Sequence, residues 1–194
     1  ASVQMQRKSK NSYFISDTLS QKISETKNSQ GVFAVCKMKN ENISLKTGQK
    51  YIALDNLQDP GNLGTVIRTA EALGISSVIV GGGCDVFNPK VLRASMGSVL
   101  RLDVFECQSL APVLQKAKSL GIKTYATSPD SSAKKINETQ FPKSSLCVIG
   151  NEANGVSDEV MNICDETVTI PMLGRAESLN AHVAGAIVMW EMLR

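Results

Sequence analysis

KYIALDNLQDPGNLGTVIRTAEALG, residues 50–74, decides how this chain folds. Lys50 to Asp55 reads as a strand, bounded by the turn residues Gly48 and Asn56. Asp59, Pro60, Gly61 and Asn62 make a tight turn, and Pro at the first helical turn starts a helix at no cost in hydrogen bonding. Apolar residues then fall at 63, 66, 67, 70 and 73, the spacing of one helical face, and Gly74 supplies a C-terminal cap. The segment is a strand, a tight turn and a helix.

The alternation continues downstream. Ser77 to Val80 is a short apolar strand ended by Gly81, Gly82 and Gly83. Pro89 to Met96 reads as a helix, Val104 to Cys107 as a strand, and Leu110 to Leu120 as an amphipathic helix closed by Gly121. Lys123 to Thr127 and Leu146 to Ile149 read as strands. Ser157 to Cys164 is a short helix with Ser157 as N-cap and Asp158 and Glu159 in its favourable first turn. Thr167 to Ile170 is a strand and Ser178 to Leu193 the last helix. Upstream, Gly31 to Cys36 reads as a strand, and a short helix is expected near Leu19 to Glu25. Such alternation implies an α/β fold: a mostly parallel sheet with helices on both faces.

The last helix is apolar on most faces. Leu179, Val183, Ala186, Ile187, Trp190 and Leu193 form one stripe, and Val188, Met189 and Met192 widen it. Such a helix is buried, either within its domain or against a second subunit.

The 194 residues, 42% apolar and 20% charged, suit one α/β domain with a substantial core. No run reaches the ~18 apolar residues of a membrane span. The first eight residues lack the apolar core of a signal peptide. The chain starts without Met, which reads as a piece of something longer. Residues 1–50 hold nine Lys/Arg against three acids, and the rest twelve against fifteen. A basic leading segment before a mildly acidic body fits either an anionic partner such as nucleic acid or a solubilising arm. The five cysteines form no C-x-x-C pair. Cys36, Cys107 and Cys147 sit in apolar runs and read as small buried residues in a reducing compartment, and with His182 the sole histidine no metal site is expected.

Ligands of open parallel sheets bind at the carboxyl ends of strands. The 55–68 loop offers backbone N–H groups at a helix N-terminus, suited to a phosphate or carboxylate. Arg68 reads either as a surface ion pair or as a side chain turned toward that loop. Gly81 to Asp85 is neither G-x-G-x-x-G nor a Walker A sequence and reads as a flexible turn, which weakens a nicotinamide- or nucleotide-binding α/β enzyme. In the 149–155 loop, Gly150 allows a ligand close to the backbone, and Glu152 is either solvated or functional. In the 170–180 loop, Ser178 and Asn180 are good capping residues.

Taken together, these loops resemble the three signature motifs of the SpoU-type (TrmH-like) RNA ribose methyltransferases of the SPOUT superfamily. The first runs from Asp59 through Asn62 and Arg68 to Ala70, the second from Gly150 through Glu152 to Val156, the third from Ile170 to Asn180. Asn88 to Gly97 is also typical of the family. The resemblance covers about residues 30–194 and keeps motif order and spacing.

The resemblance implies a C-terminal deep trefoil knot in the sheet and a homodimer, with the last helix at the interface. It implies S-adenosylmethionine as cofactor, held by Gly150, Ile170 and Leu179 and lined by Thr127, Glu152, Met172 and Ser178. Asn62 and Arg68 would face the ribose and its phosphate, with Glu152, Ser178 and Asn180 supporting them. The partner would be RNA, ribosomal before transfer RNA, and the site of action the cytoplasm, with no membrane. Residues 1–30 would be a basic linker or the remnant of an N-terminal RNA-binding domain, and 31–194 the catalytic domain. Relatives' proposed base lies at Arg68, but a guanidinium rarely gives up its proton, so a phosphate clamp is the better role. His182 departs from the family, where many relatives have Ser; it is read as a base or as a packing residue. A non-catalytic RNA-binding module retaining the knotted fold is the alternative.

Overall fold

The computed structural model describes residues 11–24, 28–37 and 42–194. The chain divides into two units, Ala1–Asn40 and Glu41–Arg194. The first ten residues, which carry part of the basic leading segment, lie outside the described residues.

In the first unit, helix α1 spans Asp17–Ile23, with the Ser16 hydroxyl accepting from Leu19 N at 3.3 Å. It begins earlier than expected because Ser16 supplies the cap, and it ends where Ser24 turns extended. Glu25 lies outside the described residues. The strand expected over Gly31 to Cys36 does not form. Val35 and Cys36 are exposed, so Cys36 is not the buried thiol anticipated.

The second unit is built on seven parallel strands: β1 Lys50–Asp55, β2 Ser77–Gly81, β3 Asp103–Cys107, β4 Lys123–Thr127, β5 Lys134–Lys135, β6 Ser145–Ile149 and β7 Glu166–Thr169. Their spatial order is β3-β2-β1-β6-β4-β7-β5. Tyr51 pairs in register with Ser77 on one side and Leu146 on the other. β6 therefore inserts between the first strand and β4, and the run of connections reverses there.

The helices are α2 Pro60–Leu73, α3 Pro89–Ala94, α4 Ala111–Ser119, α5 Asp158–Ile163 and α6 Ala181–Leu193. The two-residue period of the strands feeds two cores. Ile52, Leu54, Val78, Cys147 and Ile149 join Leu63, Val66 and Ile67 of α2 and Val188, Met189 and Met192 of α6. Tyr51, Ala53, Ile79, Leu146 and Val148 face Val113, Leu114 and Ala117 of α4 and Val160 of α5. With both faces covered, each fully buried Leu or Ile side chain contributes ~1.5–3 kcal/mol.

At two helix starts the capping differs from the sequence reading. Ser157 takes the N-cap position of α5 as expected, but its side chain makes no cap bond; its N–H and hydroxyl both donate to Asp55 Oδ2, at 2.8 and 2.7 Å. α6 begins at Ala181, where Asn180 Oδ1 accepts from His182 N at 3.0 Å, and Ser178 stays in the preceding loop. On its inner side α6 buries Ala181, Gly185, Val188, Met189 and Met192, while Val183, Trp190 and Leu193 are exposed, Trp190 by 62%. Among the described residues, no helix is long and apolar enough to cross a membrane.

Candidate active site

The carboxyl ends of β1, β6, β4 and β7 come together where the strand order reverses, the place parallel sheets use for ligands. The loop after β6 is a tight hairpin: Asn151 N donates to Gly155 O and Gly155 N to Asn151 O, both at 2.9 Å. A Cβ on Gly150 would lie 2.1 Å from the carbonyl carbon of Gly155 and 2.2 Å from Val156 N, so only glycine lets the hairpin close. Asn151 Nδ2 donates to Asn56 O at 2.7 Å, tying the hairpin to the loop after β1.

Glu152 extends from this hairpin to the N-terminus of α2. Its carboxylate accepts from Asn62 Nδ2 at 2.9 Å, Gln58 N at 3.2 Å and Asp59 N at 3.3 Å. Asp59 Oδ1 takes the Asn62 N–H at 2.8 Å. Partial burial pushes the Glu152 carboxyl up, but the hydrogen bonds from Asn62, its own backbone N–H, Gln58 and Asp59 outweigh it and hold the group below its ordinary range. The amides expected to receive a ligand's phosphate are thus occupied by the chain's own carboxylate, and Glu152 is not merely solvated. Asn62 Oδ1 continues the chain, 3.0 Å from His182 Nδ1 on α6.

Beside this cluster lies a cavity of about 580 Å³, of the size that holds small ligands. Thr127, Gly150, Glu152, Ile170, Met172, Ser178 and Leu179, all expected to hold the cofactor, line it. Among the described residues, the charged ones on its wall are Glu152, Asp158 and Glu177, with no Lys or Arg. In sequence Asp158 reads as a first-turn acid of α5 and Glu177 carries no signal of its own; the two meet on one wall only when the chain folds.

Asn62, Arg68 and Asn180 do not line the cavity. Asn62 reaches it through Glu152, and Asn180 caps α6. Arg68 is exposed on α2 and has no hydrogen bond or ion pair among the described residues, so the surface ion pair is not made. It stands six residues beyond Asn62, about 9 Å along the helix axis.

Gly81 to Gly83 is not a flexible turn. Cys84 N donates to Leu57 O and Gly82 N to Cys107 O, both at 2.9 Å, and a Cβ on Gly83 would meet Leu57 O at 2.3 Å. The turn is packed on the β1 loop and leaves no phosphate cradle.

The model of the SpoU rRNA Methylase family matches residues 49–190. This chain belongs to the SpoU rRNA methylase family. The 23S rRNA (guanosine(2553)-2'-O)-methyltransferase RlmP of Bacillus subtilis is 36% identical over 181 residues, covering 93% of this chain and 71% of that protein. The 23S rRNA (uridine(2479)-2'-O)-methyltransferase of Streptomyces viridochromogenes is 34% identical over 148 residues, 74% of this chain and 52% of its own length. Among solved structures, a putative RNA methyltransferase of the TrmH family from Porphyromonas gingivalis superposes with a TM-score of 0.72 at 34% identity, over 79% of this chain and 62% of that one. The SpoU methyltransferase AviRb from Streptomyces viridochromogenes, in complex with the cofactor AdoMet, gives 0.70 at 33% identity, over 77% and 61%. The chain therefore spans between about half and about 70% of the length of these SpoU relatives. Its fold is the parallel α/β fold of its SpoU neighbours.

Proposed function

We propose that this chain is the catalytic part of an enzyme that methylates a ribose 2′-hydroxyl of RNA from S-adenosylmethionine, ribosomal RNA before transfer RNA. The cavity at the strand reversal carries this reading. The charged side chains on its wall among the described residues are all acidic, which favours a ligand with a sulfonium and an ammonium over polyanionic nucleotides. Gly150 closes the hairpin that shapes one side, and the 170–179 residues shape another. The residues present fit the cofactor.

S-adenosylmethionine supplies an electrophilic methyl group and a neutral leaving thioether. The protein's task is to align the ribose oxygen with it and to stabilise the charge that develops. Thr127 Oγ1 donates to Val148 O at 3.0 Å, which ties this part of the wall to β6. Glu152, on the cavity wall, holds the amide of the buried Asn62 behind it. Since Glu152 fills the anion position at the α2 N-terminus, the phosphate of the RNA falls to Arg68, whose guanidinium has no partner to give up among the described residues.

The same reading makes the working form a homodimer. Val183, Trp190 and Leu193 leave an apolar stripe on α6 that a second copy covers. It also includes the trefoil knot in the 150–180 region, action in the cytoplasm, and a basic leader toward RNA. The five unpaired cysteines suit a reducing compartment.

Calorimetry with S-adenosylmethionine and with NAD, followed by methyl transfer from labelled cofactor to ribosomal and transfer RNA, tests the proposal. Micromolar binding of S-adenosylmethionine and nuclease-resistant 2′-O-methyl label in RNA are expected. Binding without transfer to any RNA would favour the non-catalytic module, and preference for NAD would overturn the proposal.

A further inference from the structure

Asn62 sits between a carboxylate and an imidazole: Nδ2 lies 2.9 Å from Glu152 Oε1, and Oδ1 lies 3.0 Å from His182 Nδ1. An ionised carboxylate only accepts, so the amide must present its NH2 to Glu152 and its oxygen to His182. A carbonyl oxygen also only accepts. His182 Nδ1 therefore carries a proton, and in the neutral ring Nε2 carries the lone pair. The sequence separations, 90 and 120 residues, join the hairpin after β6, the start of α2 and the start of α6 in one line.

We propose that His182 is a positioning residue of the methyl-transfer site: its Nδ1–H fixes the orientation of the Asn62 amide and, through it, of the Glu152 carboxylate on the cavity wall. The inference rests on Asn62 and Glu152 belonging to that site. The carboxylate decides which end of the amide faces it; the imidazole N–H holds the other end, so the amide plane cannot swing away from Glu152. The donor survives protonation, because Nδ1–H is present in both the neutral tautomer and the imidazolium. The charged groups around this line are Glu152 on the hairpin, Asp59 at the cap of α2 with Lys90 of α3 paired to it at 3.2 Å, and Arg68 further along α2. The orientation lock thus holds on both sides of imidazole titration.

His182 is the sole histidine of the chain, so one imidazole appears in a long-range 1H–15N correlation spectrum. The neutral ring is expected as the Nδ1–H tautomer, and in Asn62→Ala as the Nε2–H form that free imidazole favours. An Nε2–H ring in the unsubstituted protein would overturn the proposal without any reference to activity. In steady-state kinetics, His182→Ala should lower kcat about ten- to hundredfold, as loss of an orienting partner does, with the S-adenosylmethionine Kd changed less than about threefold, since His182 does not line the cavity. His182→Asn, whose amide offers an N–H donor in place of Nδ1–H, should recover most of kcat. In the Asn62→Ala background, His182→Ala should cost nothing further. Additive losses, or no recovery in His182→Asn, would overturn the positioning role. So would an acid limb in the pH–rate profile that His182→Asn abolishes, because that variant loses only the basic nitrogen. If the unsubstituted protein binds S-adenosylmethionine but methylates no RNA, the functional reading fails while the tautomer measurement still stands.

Discussion

Replacing Gly150 by alanine adds one methyl group at the narrowest point of the site. That carbon would lie 2.1 Å from the carbonyl carbon of Gly155, 2.2 Å from Val156 N and 2.5 Å from Gly155 O. These are backbone atoms, so no side chain can swing aside. Relief requires the 151–155 hairpin to move outward, stretching its two 2.9 Å hydrogen bonds and the Asn151 link to Asn56. Overpacking of this kind costs about 1–3 kcal/mol. For a chain of this size each kcal/mol shifts the melting temperature by roughly 2–4 °C, so a fall on the order of 5 °C is expected. The hairpin also carries Gly150 to Val156 of the cavity wall, so affinity for S-adenosylmethionine should drop at least about tenfold, equivalent to ~1.4 kcal/mol. Calorimetric melting and isothermal titration read the two effects. Gly174→Ala is the control: its Cβ would meet nothing within 4 Å, and the melting temperature should stay put. If Gly150→Ala melts with the unsubstituted protein and keeps its Kd, the close approach is not what shapes the cavity.

Arg68→Ala should reduce turnover by about a hundredfold or more while leaving the S-adenosylmethionine Kd within about twofold, because the side chain is exposed and stands off the cavity; near-normal turnover would sink the phosphate-clamp role. Trp190→Glu, on the exposed stripe of α6, should shift sedimentation from dimer to monomer, whereas a monomeric unsubstituted protein would end the dimer proposal. Partial burial raises the Asp165 carboxyl, but hydrogen bonds from Thr124 N and Oγ1, at 2.8 Å each, and Lys118 at 3.1 Å outweigh it and hold it low. A carboxyl lower in the folded than the unfolded state contributes stability above the ordinary carboxylate range and loses it as pH falls through the folded value. Melting temperature should therefore drop below about pH 4, and less steeply in Asp165→Asn.

The strands and helices of the second unit were legible because each carries its own period: Leu63, Val66, Ile67 and Ala70 lie on one side of α2, and Ile52 and Leu54 alternate with Tyr51 and Ala53. Gly31 to Cys36 has strand-like composition, yet a strand needs a neighbour for its N–H and C=O groups, and residue preference cannot report one. β5 failed in the opposite sense: Lys134 and Lys135 are exposed and polar, and only their pairing with Val168 and Thr169 makes them a strand. At the site, the motifs bring Gly150, Glu152, Ile170, Met172, Ser178 and Leu179 onto one cavity wall. They missed what Glu152 and His182 touch, since those partners lie 90–120 residues away.

Those separations have a consequence for how the protein is made. Asn151 meets Asn56, Ser157 meets Asp55, and Glu152 meets Gln58 across 94–102 residues, so each link closes a long loop. β1, α2 and β2 can pair as soon as they leave the ribosome, but β6 must then enter between β1 and β4, and α6 must follow. Long-range closures of this sort are slow and come late. Cofactor affinity therefore appears only when residues 145–194 have joined, and binding of S-adenosylmethionine during synthesis or refolding is a clock for that late step of assembly.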